Sequence, residues 1–245
     1  MVLWQCAGRG GCHVTILSSS ELDGLKHAAA ARAVEEVENG MVLGLGSGST
    51  AEIAVQVLAE RVAKGLRVQG IPTSAKTAAL ARRLGVPLTS FAEHHHIDLS
   101  IDGADQVERG TMNLIKGLGG DLLREKIVAS VSDRMIVAVD ETKLVDHLGG
   151  NRPLPVEVVS FGWQTVFDHL VAIGCVPRLR LAGDTPFLTD GGNYIVDCTI
   201  AEIPDPEMLD ANISAIVGVI ETGLFIALAS KVMVGRPAGV EVIER

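Results

Sequence analysis

Ser100-Ile101-Asp102-Gly103-Ala104-Asp105 ends an apolar run, and this stretch decides the predicted fold. Residues 97–101 are predicted to form a buried strand, so both carboxylates follow its carboxyl end, where open α/β sheets bind their ligands. Lys116 opens the glycine-rich run that comes next, and Glu125 lies on the following predicted helix. A folding core gains nothing from charges at such places. The combination of acid, base and cation therefore favours proton transfer on a small anionic substrate.

The composition is typical of a well-packed protein with aliphatic α/β layers. Of 245 residues, 47% are hydrophobic, 21% are charged and 3% are aromatic, and 27 are glycine. This length allows one large domain, or one domain with a smaller one. The net charge of -9 argues against a nucleic-acid partner, and the apolar runs are too short for a membrane span. Any bound phosphate must therefore be held by local backbone amides and a few placed cations.

The cysteines and the first residues give no metal or targeting signal. The cysteines are Cys6, Cys12, Cys175 and Cys198. They lack the C-x-x-C spacing of metal sites, which favours reduced thiols and a cytoplasmic location. Residues 1–20 lack the apolar centre of a signal peptide, so we interpret them as a poorly ordered N-terminal extension. A helix should follow them, because Ser20 and Asp23 resemble a capping box.

A glycine-rich turn between a strand and a helix is the candidate phosphate site. A short strand over residues 41–45 runs into Gly46-Ser47-Gly48-Ser49-Thr50, and a helical pattern follows. This arrangement presents free N–H groups and the positive end of a helix to an anion. The turn lacks the lysine of a Walker loop and the final glycine of a dinucleotide site. A capped tight turn explains the residues equally well, but the three hydroxyls favour anion binding.

Further candidate residues follow the central acidic stretch. Lys116-Gly117-Leu118-Gly119 lets the backbone approach a ligand closely, and a helix over residues 122–131 carries Glu125. Lys143 follows another predicted strand and places a cation at a strand end. His94-His95-His96 suggests a metal site, but adjacent side chains point in different directions and cannot easily converge on one ion. We therefore interpret these histidines as a solvated loop and predict no metal.

From residue 153 the predicted elements follow the order β-α-β-β-α-β, which is the ferredoxin-like pattern. The fold class is therefore α/β, a Rossmann-like open sheet with helices on both faces plus a smaller ferredoxin-like α+β domain. The strands predicted near the C-terminus rejoin the first sheet. The predicted domains are the extension at residues 1–20, the catalytic domain at residues 21–152 and 223–245, and the inserted domain at residues 153–222.

Several longer motifs stand in a fixed order along the chain. They are Gly44-Leu45-Gly46-Ser47-Gly48-Ser49-Thr50, Ile101-Asp102-Gly103-Ala104-Asp105, Lys116-Gly117 with Gly119-Gly120, Leu123-Arg124-Glu125-Lys126-Ile127-Val128, and Pro153-Leu154-Pro155-Val156-Glu157-Val158. In order and spacing they resemble ribose-5-phosphate isomerase, type A. Thr189-Asp190-Gly191-Gly192-Asn193 and Gly223-Leu224-Phe225 are also similar to that family. The resemblance extends from about residue 21 to the C-terminus.

The resemblance implies a cofactor-free isomerase of the pentose phosphate pathway that interconverts ribose 5-phosphate and ribulose 5-phosphate as a homodimer or homotetramer. Glu125 matches the family's proton acceptor, and the other predicted catalytic residues are Asp102, Asp105 and Lys116. Lys26 matches a further phosphate-contacting lysine. The predicted substrate-binding residues are Ser47, Gly48, Ser49, Thr50, Asp102, Gly103, Ala104, Asp105, Lys116, Gly117, Leu118, Gly119 and Lys143.

The chain departs from the family pattern in the glycine run. Leu118 and Asp121 replace a glycine and a small residue, and Gln106 replaces a common glutamate. Residues 226–231 also lack the usual family sequence, and Ser47 stands where threonine is common. A bulky Leu118 beside the sugar is expected to bear on substrate choice.

Other functions remain open from the residues. A sugar-phosphate sensor without catalysis is one, because related α/β folds serve as effector-binding domains. An isomerase of another aldose phosphate is a second. A dinucleotide-binding oxidoreductase ranks below both, because the glycine turn has the wrong continuation.

Overall fold

The computed structural model describes residues 18–245 and, before them, the backbone of two short strands. These strands, β1 (Val2–Gln5) and β2 (His13–Ile16), pair antiparallel. The predicted N-terminal extension therefore lies partly outside the described residues, as do Cys6 and Cys12. Ser19 and Ser20, which we had assigned to that extension, belong to the first helix.

Helices and strands alternate through the first half of the chain. The helices are α1 (Ser19–Val34), α2 (Ser49–Ala63), α3 (Ala75–Leu84), α4 (Leu122–Ser130), α5 (Trp163–Ala172) and α6 (Pro206–Ser214). The strands after β2 are β3 (Val42–Leu45), β4 (Gln69–Pro72), β5 (Leu99–Asp102), β6 (Gln106–Glu108), β7 (Leu114–Ile115), β8 (Met135–Asp140), β9 (Leu144–Val145), β10 (Leu154–Val158), β11 (Val176–Leu179), β12 (Leu181–Ala182), β13 (Thr185–Pro186), β14 (Tyr194–Thr199), β15 (Val219–Thr222), β16 (Leu224–Phe225), β17 (Ala229–Arg236) and β18 (Gly239–Glu244). A 3-10 helix, Glu141–Lys143, follows β8.

The start of α1 differs in detail from the prediction. Its N-cap is Ser18, whose hydroxyl accepts a hydrogen bond from the N–H of Glu21 at 3.3 Å. The Glu21 carboxylate in turn accepts from the N–H of Ser18 at 2.7 Å. The capping box is therefore Ser18 with Glu21, and not Ser20 with Asp23, because the longer glutamate side chain reaches back to the capping amide.

The main sheet has six strands in the order β18-β17-β8-β5-β3-β4. Strands β17, β8, β5, β3 and β4 are parallel, and β18 is an antiparallel edge strand. Starting from β3, the next strand in sequence, β4, lies on one side of it in the sheet, and the later strands β5, β8 and β17 lie in order on the other side. The order therefore reverses between β3 and β5, which is the switch point where such sheets bind ligands. The predicted Rossmann-like open sheet is confirmed.

Strand β8 shows how the sheet is buried on both faces. Ile136 and Ala138 pack in the core formed with α1, α2 and α3. Met135, Val137 and Val139 pack in a second core on the opposite face. Because successive side chains of a strand point to opposite faces, one continuous apolar run supplies both cores.

A small second sheet, in the order β16-β7-β6-β9, helps to close that opposite face. Leu114, Leu144 and Phe225 from this sheet lie in the same core as β8. The sequence did not predict this sheet, because strands of two or three residues are too short to show an alternating pattern. Its ladder continues past β7, where the N–H of Lys116 donates to the carbonyl of Gly223 at 2.9 Å.

The inserted unit is an antiparallel sheet in the order β11-β14-β10-β15, with α5 and α6 packed in its core. Its elements follow one another as β-α-β-β-α-β, with the β12–β13 hairpin added between β11 and β14. The predicted ferredoxin-like unit is confirmed, although its last strand begins at Val219 and not at residue 217. The carbonyl of Pro155 accepts from the N–H of Gly223 at 2.7 Å, so the beginning and the end of the insertion lie side by side.

Candidate active site

A cleft opens at the carboxyl ends of β3, β5 and β8. Every predicted site residue lines it except Asp102 and Leu118. Two residues outside the predicted catalytic and substrate-binding sets, Lys26 and Asp121, line it as well. The fold therefore brings together residues from across the first 143 positions of the chain at the switch point of the sheet.

The glycine turn after β3 packs directly against Asp102. A Cβ atom on Gly46 would lie 2.2 Å from Cγ of Asp102, so only glycine fits at this position. The N–H groups of Ser47 and Gly103 donate to Oδ1 of Asp102 at 3.2 and 2.7 Å. Asp102 therefore holds the two turns together from behind the cleft, and its side chain is not part of the cleft wall.

The start of α2 presents the predicted anion site. Gly48 is the N-cap and supplies no side-chain hydrogen bond, so among the described residues no side chain caps the first N–H groups of the helix. Gly48, Ser49 and Thr50 all line the cleft. The hydroxyl of Ser47 is already paired with Thr73 Oγ1 at 2.6 Å. The groups left to bind the predicted anion are therefore the backbone N–H groups and the hydroxyls of Ser49 and Thr50.

Lys116 forms the centre of a buried ionic cluster. Its Nζ lies 3.1 Å from Oδ2 of Asp102 and 3.3 Å from Oε2 of Glu125. It also donates to the carbonyl of Gly103 at 2.6 Å and lies 5.4 Å from the ring centre of Phe225. The three charged side chains are only 3 to 6% exposed. The single ammonium therefore neutralises two carboxylates in a dry part of the site.

Glu125 reaches the cleft because α4 begins immediately after the glycine run. It lies in the first turn of that helix and is buried. Although Lys116 is close, Oε2 of Glu125 has no aligned hydrogen-bond donor among the described residues. Glu125 lines the cleft, and a carboxylate there can accept a proton from a bound substrate.

The environment shifts the pKa values of the cluster in different directions. Burial raises the pKa of Glu125 to about 8; the charge of Asp102 adds to this rise, and Lys116 opposes it. Burial also raises the pKa of Asp102, against the opposing effect of Lys116. Burial acts to lower the pKa of Lys116, but the two carboxylates outweigh it and keep that pKa above its ordinary value. In this cluster Lys116 therefore stays protonated, while the raised pKa of Glu125 suits this carboxyl group to proton transfer.

Asp105 and Leu118 are joined by their own hydrogen bond. Oδ2 of Asp105 accepts from the N–H of Leu118 at 3.0 Å. The remaining Asp105 oxygen is available to the cleft, which Asp105 lines. Leu118 is not among the residues that line the cleft, and the expectation that its bulk lies beside the sugar stays a prediction.

Asp121 and Lys26 are the cleft residues that the two predicted site sets do not contain. Asp121 is the N-cap of α4, yet its carboxylate makes no capping hydrogen bond. Burial, followed by the charges of Asp190 and Asp102, raises its pKa to about 6. Its position four residues before Glu125 was the available sequence signal, because residues at that spacing share a helix face. Burial lowers the pKa of Lys143, which lines the same cleft.

Histidines 94 to 96 lie away from the cleft. His94 contacts Gln69, with 3.2 Å between Nε2 and Oε1, and His96 lies 3.0 Å from Asp133. In the part of the chain that the structure describes, no group of three His, Cys, Asp or Glu residues is arranged to hold a metal ion. Across the same residues, none of the helices combines the length and the apolar character that crossing a membrane requires.

Comparison with known proteins gives consistent relatives. Residues 69–239 match the family model described as ribose 5-phosphate isomerase A (phosphoriboisomerase A). The ribose-5-phosphate isomerase A of Gloeobacter violaceus is 56% identical over 223 residues, covering 91% of this chain and 97% of that protein. The protein of the same name from Gluconobacter oxydans is 50% identical, with 92% and 98% covered.

Solved structures show the same similarity. The ribose 5-phosphate isomerase A of Methanocaldococcus jannaschii superposes with a TM-score of 0.87 at 39% identity, covering 91% of this chain and 99% of that one. A D-ribose-5-phosphate isomerase in complex with phospho-erythronic acid superposes with a TM-score of 0.89 at 37% identity, with the same coverage.

Proposed function

The chain belongs to the ribose 5-phosphate isomerase A family, and from this premise we propose how its residues perform the reaction. It is an aldose-ketose isomerase that interconverts D-ribose 5-phosphate and D-ribulose 5-phosphate. The observation that carries the proposed mechanism is the placement of Glu125 at the cleft wall, with Nζ of Lys116 3.3 Å from its Oε2.

Glu125 is the base in this mechanism. Its carboxylate takes the proton from C2 of the open-chain aldose, the electrons of that C–H bond form a C1–C2 double bond, and the carbonyl electrons move onto O1. The resulting enediolate is then protonated at C1 by the Glu125 carboxyl, and a carbonyl forms at C2. A base with a raised pKa suits the abstraction of a weakly acidic carbon-bound proton.

Lys116 stabilises the negative charge that develops on the enediolate oxygens. Its ammonium is buried and already fixed by Asp102 and by the carbonyl of Gly103, so it needs little reorganisation when the charge appears. Removing one such donor in other enzymes costs about 3 kcal/mol of transition-state stabilisation. Asp105, at the cleft wall, moves the hydroxyl proton from O2 to O1 and so completes the exchange.

The phosphate group is bound by the N-terminus of α2. Ser49, Thr50, Lys143 and Lys26 supply the hydroxyls and cations that line the cleft there. Binding energy from this unreactive group positions C1 and C2 against Glu125. The relative that was solved with phospho-erythronic acid supports a site for a phosphorylated sugar acid in this fold.

The test is an assay of ribose 5-phosphate conversion in deuterated water without added metal or nucleotide. We expect the wild type to form the ketose and to incorporate solvent deuterium at C1, the carbon that receives the transferred proton. Glu125→Gln keeps the shape but removes the base, so turnover should fall by roughly 10²- to 10⁴-fold. Near-normal isomerisation by Glu125→Gln would exclude this residue as the base. Glu60→Gln on the exposed face of α2 is the matched control.

The two alternatives from the sequence are less favoured. The named relatives are isomerases and not sensors. A sensor would bind ribose 5-phosphate without proton exchange at C2, and the same assay detects this outcome. An isomerase of another aldose phosphate loses its main support, because Leu118 does not line the cleft. Parallel assays with other aldose phosphates should give lower kcat/KM than ribose 5-phosphate.

We also propose a homodimer or homotetramer in the cytoplasm, where this sugar phosphate is metabolised. Phe161 and Val217 support a self-association surface, because they are 93% and 91% exposed. The N–H of Val159 donates to the carbonyl of Gly218 at 2.9 Å, so the two chain segments that carry Phe161 and Val217 run near each other in the inserted unit. Large exposed apolar side chains close together often mark protein interfaces. Light scattering coupled to gel filtration should give a multiple of 25.8 kDa, and the mass of one chain would refute the proposal.

A further inference from the structure

The segment Lys116–Gly120, which we call the lysine loop, is held from both structural units. On the side of the main sheet, Asp105 accepts from the N–H of Leu118 at 3.0 Å. On the side of the inserted unit, Nη1 of Arg180 donates to the carbonyls of Gly117 and Leu118, both at 3.0 Å. Arg180 does not line the cleft, and among the described residues its hydrogen bonds to the loop go to backbone carbonyls.

Arg180 is itself firmly placed. It follows β11, and its Nε donates to Oδ2 of Asp197 on β14 at 2.8 Å, while Nη2 pairs with the other carboxylate oxygen. Its own N–H donates to the carbonyl of Ile195 at 2.8 Å. The side chain is only 13% exposed. A bidentate arginine–carboxylate pair of this kind fixes the plane of the guanidinium, and with it the direction of the remaining donors.

The last glycine of the loop is held by an aromatic ring of the same unit. A Cβ atom on Gly120 would lie 2.5 Å from Cζ of Phe187, and Gly120 has a φ of +100°, so glycine is required there. The Phe187 ring centre lies 5.9 Å from Cζ of Arg180, and the N–H of Phe187 donates to the Arg180 carbonyl at 2.9 Å. Arg180 and Phe187 therefore form one rigid surface against the loop.

The geometry points to Arg180 as a positioning residue for the isomerisation, acting through the lysine loop. This inference rests on the proposed roles of Glu125 and Lys116. The loop carries Lys116 at one end, leads into α4 and Glu125 at the other, and has three glycines between them. Glycine-rich backbone loses much conformational freedom when it is ordered, so outside contacts must fix it. Arg180 supplies two such contacts at consecutive carbonyls.

Only arginine can make this set of bonds. A lysine at position 180 has one ammonium, and it cannot hold both oxygens of Asp197 and two loop carbonyls in a fixed plane. We therefore expect Arg180→Lys and Arg180→Met to loosen the loop even though the first keeps the charge. A displacement of about 1 Å at a catalytic group can cost on the order of 100-fold in rate.

The experiment compares steady-state kinetics of Arg180→Met and Arg180→Lys with Arg178→Met. Arg178 lies on β11, two residues earlier, and is exposed, so its substitution should leave the kinetics unchanged. For both Arg180 variants we expect kcat to fall by roughly 10- to 100-fold while KM changes by less than about threefold. Added guanidinium should restore part of the kcat of Arg180→Ala, because a free guanidinium can occupy the vacated site.

Two outcomes would overturn the inference. One is a kcat within about twofold of wild type in folded Arg180→Met. The other is a rise in KM alone, which would show an effect on binding and not on catalytic geometry. If Arg180→Met does not fold, Asp197→Asn keeps the arginine but weakens its anchor, and it should lower kcat without a matching change in KM. Loss of activity in Glu125→Gln with full activity in the Arg180 variants would reject the positioning role and leave the proposed base intact.

Discussion

Nζ of Lys116 lies 3.3 Å from Oε2 of Glu125, with the two side chains 3% and 6% exposed. The lysine directly follows a short strand and the glutamate lies in the first turn of α4, so the glycine run between them determines their separation. Because Asp102 competes for the same ammonium at 3.1 Å, Glu125 is only partly neutralised. This shared cation explains how a buried carboxylate can stay available as a base.

The first prediction concerns stability and pH. The pKa of Glu125 rises from 4.5 to about 8 on folding, so the native state holds this proton more tightly than the unfolded state. Stability from this group is present below about pH 4.5 and is lost as the pH rises through about 8. Glu125→Gln lacks this dependence. The free energy of unfolding of Glu125→Gln, measured with urea, should therefore increase relative to that of the wild type as the pH rises. An unchanged difference between the two proteins across this pH range would contradict the prediction.

The second prediction concerns Asp121. Its charge helps to raise the pKa of Glu125, so Asp121→Asn should lower that pKa. The acid limb of the kcat/KM profile should then move to lower pH, and activity on that limb should increase. Asp184→Asn, in the exposed β12–β13 hairpin, is the control and should leave the limb in place. An unshifted limb in Asp121→Asn would show that this carboxylate does not act on the base.

The third prediction concerns Lys116. Lys116→Met leaves Asp102 and Glu125 buried without their shared cation, which should destabilise the fold by about 3 to 5 kcal/mol. In the protein that remains folded, kcat should fall by roughly 100-fold or more, because enediolate charge is no longer compensated. Inhibition by inorganic phosphate should change much less. If Lys116→Met lowered only the affinity for phosphate and left kcat unchanged, Lys116 would be a binding residue and not a catalytic one.

The fourth prediction concerns the phosphate end of the cleft. Lys143→Met should raise KM for ribose 5-phosphate by roughly tenfold and lower kcat less, because a cation near the phosphate contributes mainly to binding. Lys64→Met, at the exposed end of α2, is the control for loss of a lysine. A selective loss of kcat in Lys143→Met would place this lysine at the reacting carbons instead.

The parts of the site that could be predicted from the sequence are those that depend on neighbouring residues in the chain. Asp102, Asp105 and the turn at Ser47 each follow a buried strand, and strand ends of a parallel sheet meet at one edge. Glu125 was identified because the lysine-to-glutamate spacing resembles that of a known family. The parallel order of the main sheet and the ferredoxin-like order of the insertion likewise follow from continuous apolar runs and turn residues.

The parts that the sequence did not reveal depend on distant residues. Arg180 looks like one more basic residue near the end of a strand, and only folding places it beside Gly117, 63 positions earlier. Leu118 was expected beside the substrate because of its neighbours in sequence, but its N–H binds Asp105 and it is not among the residues that line the cleft. Which side of a loop faces a ligand is set by tertiary hydrogen bonds, and sequence spacing does not encode it.

The position of β17 between β8 and β18 has a consequence for synthesis on the ribosome. Strand β8 is translated before the whole inserted unit, whereas its outer neighbour, Ala229–Arg236, is translated after it. The nascent chain therefore carries an apolar, unpaired strand edge until the ferredoxin-like unit has been made. Such an edge is a template for wrong pairing between chains. Chaperones that shield strand edges would be needed most during this interval.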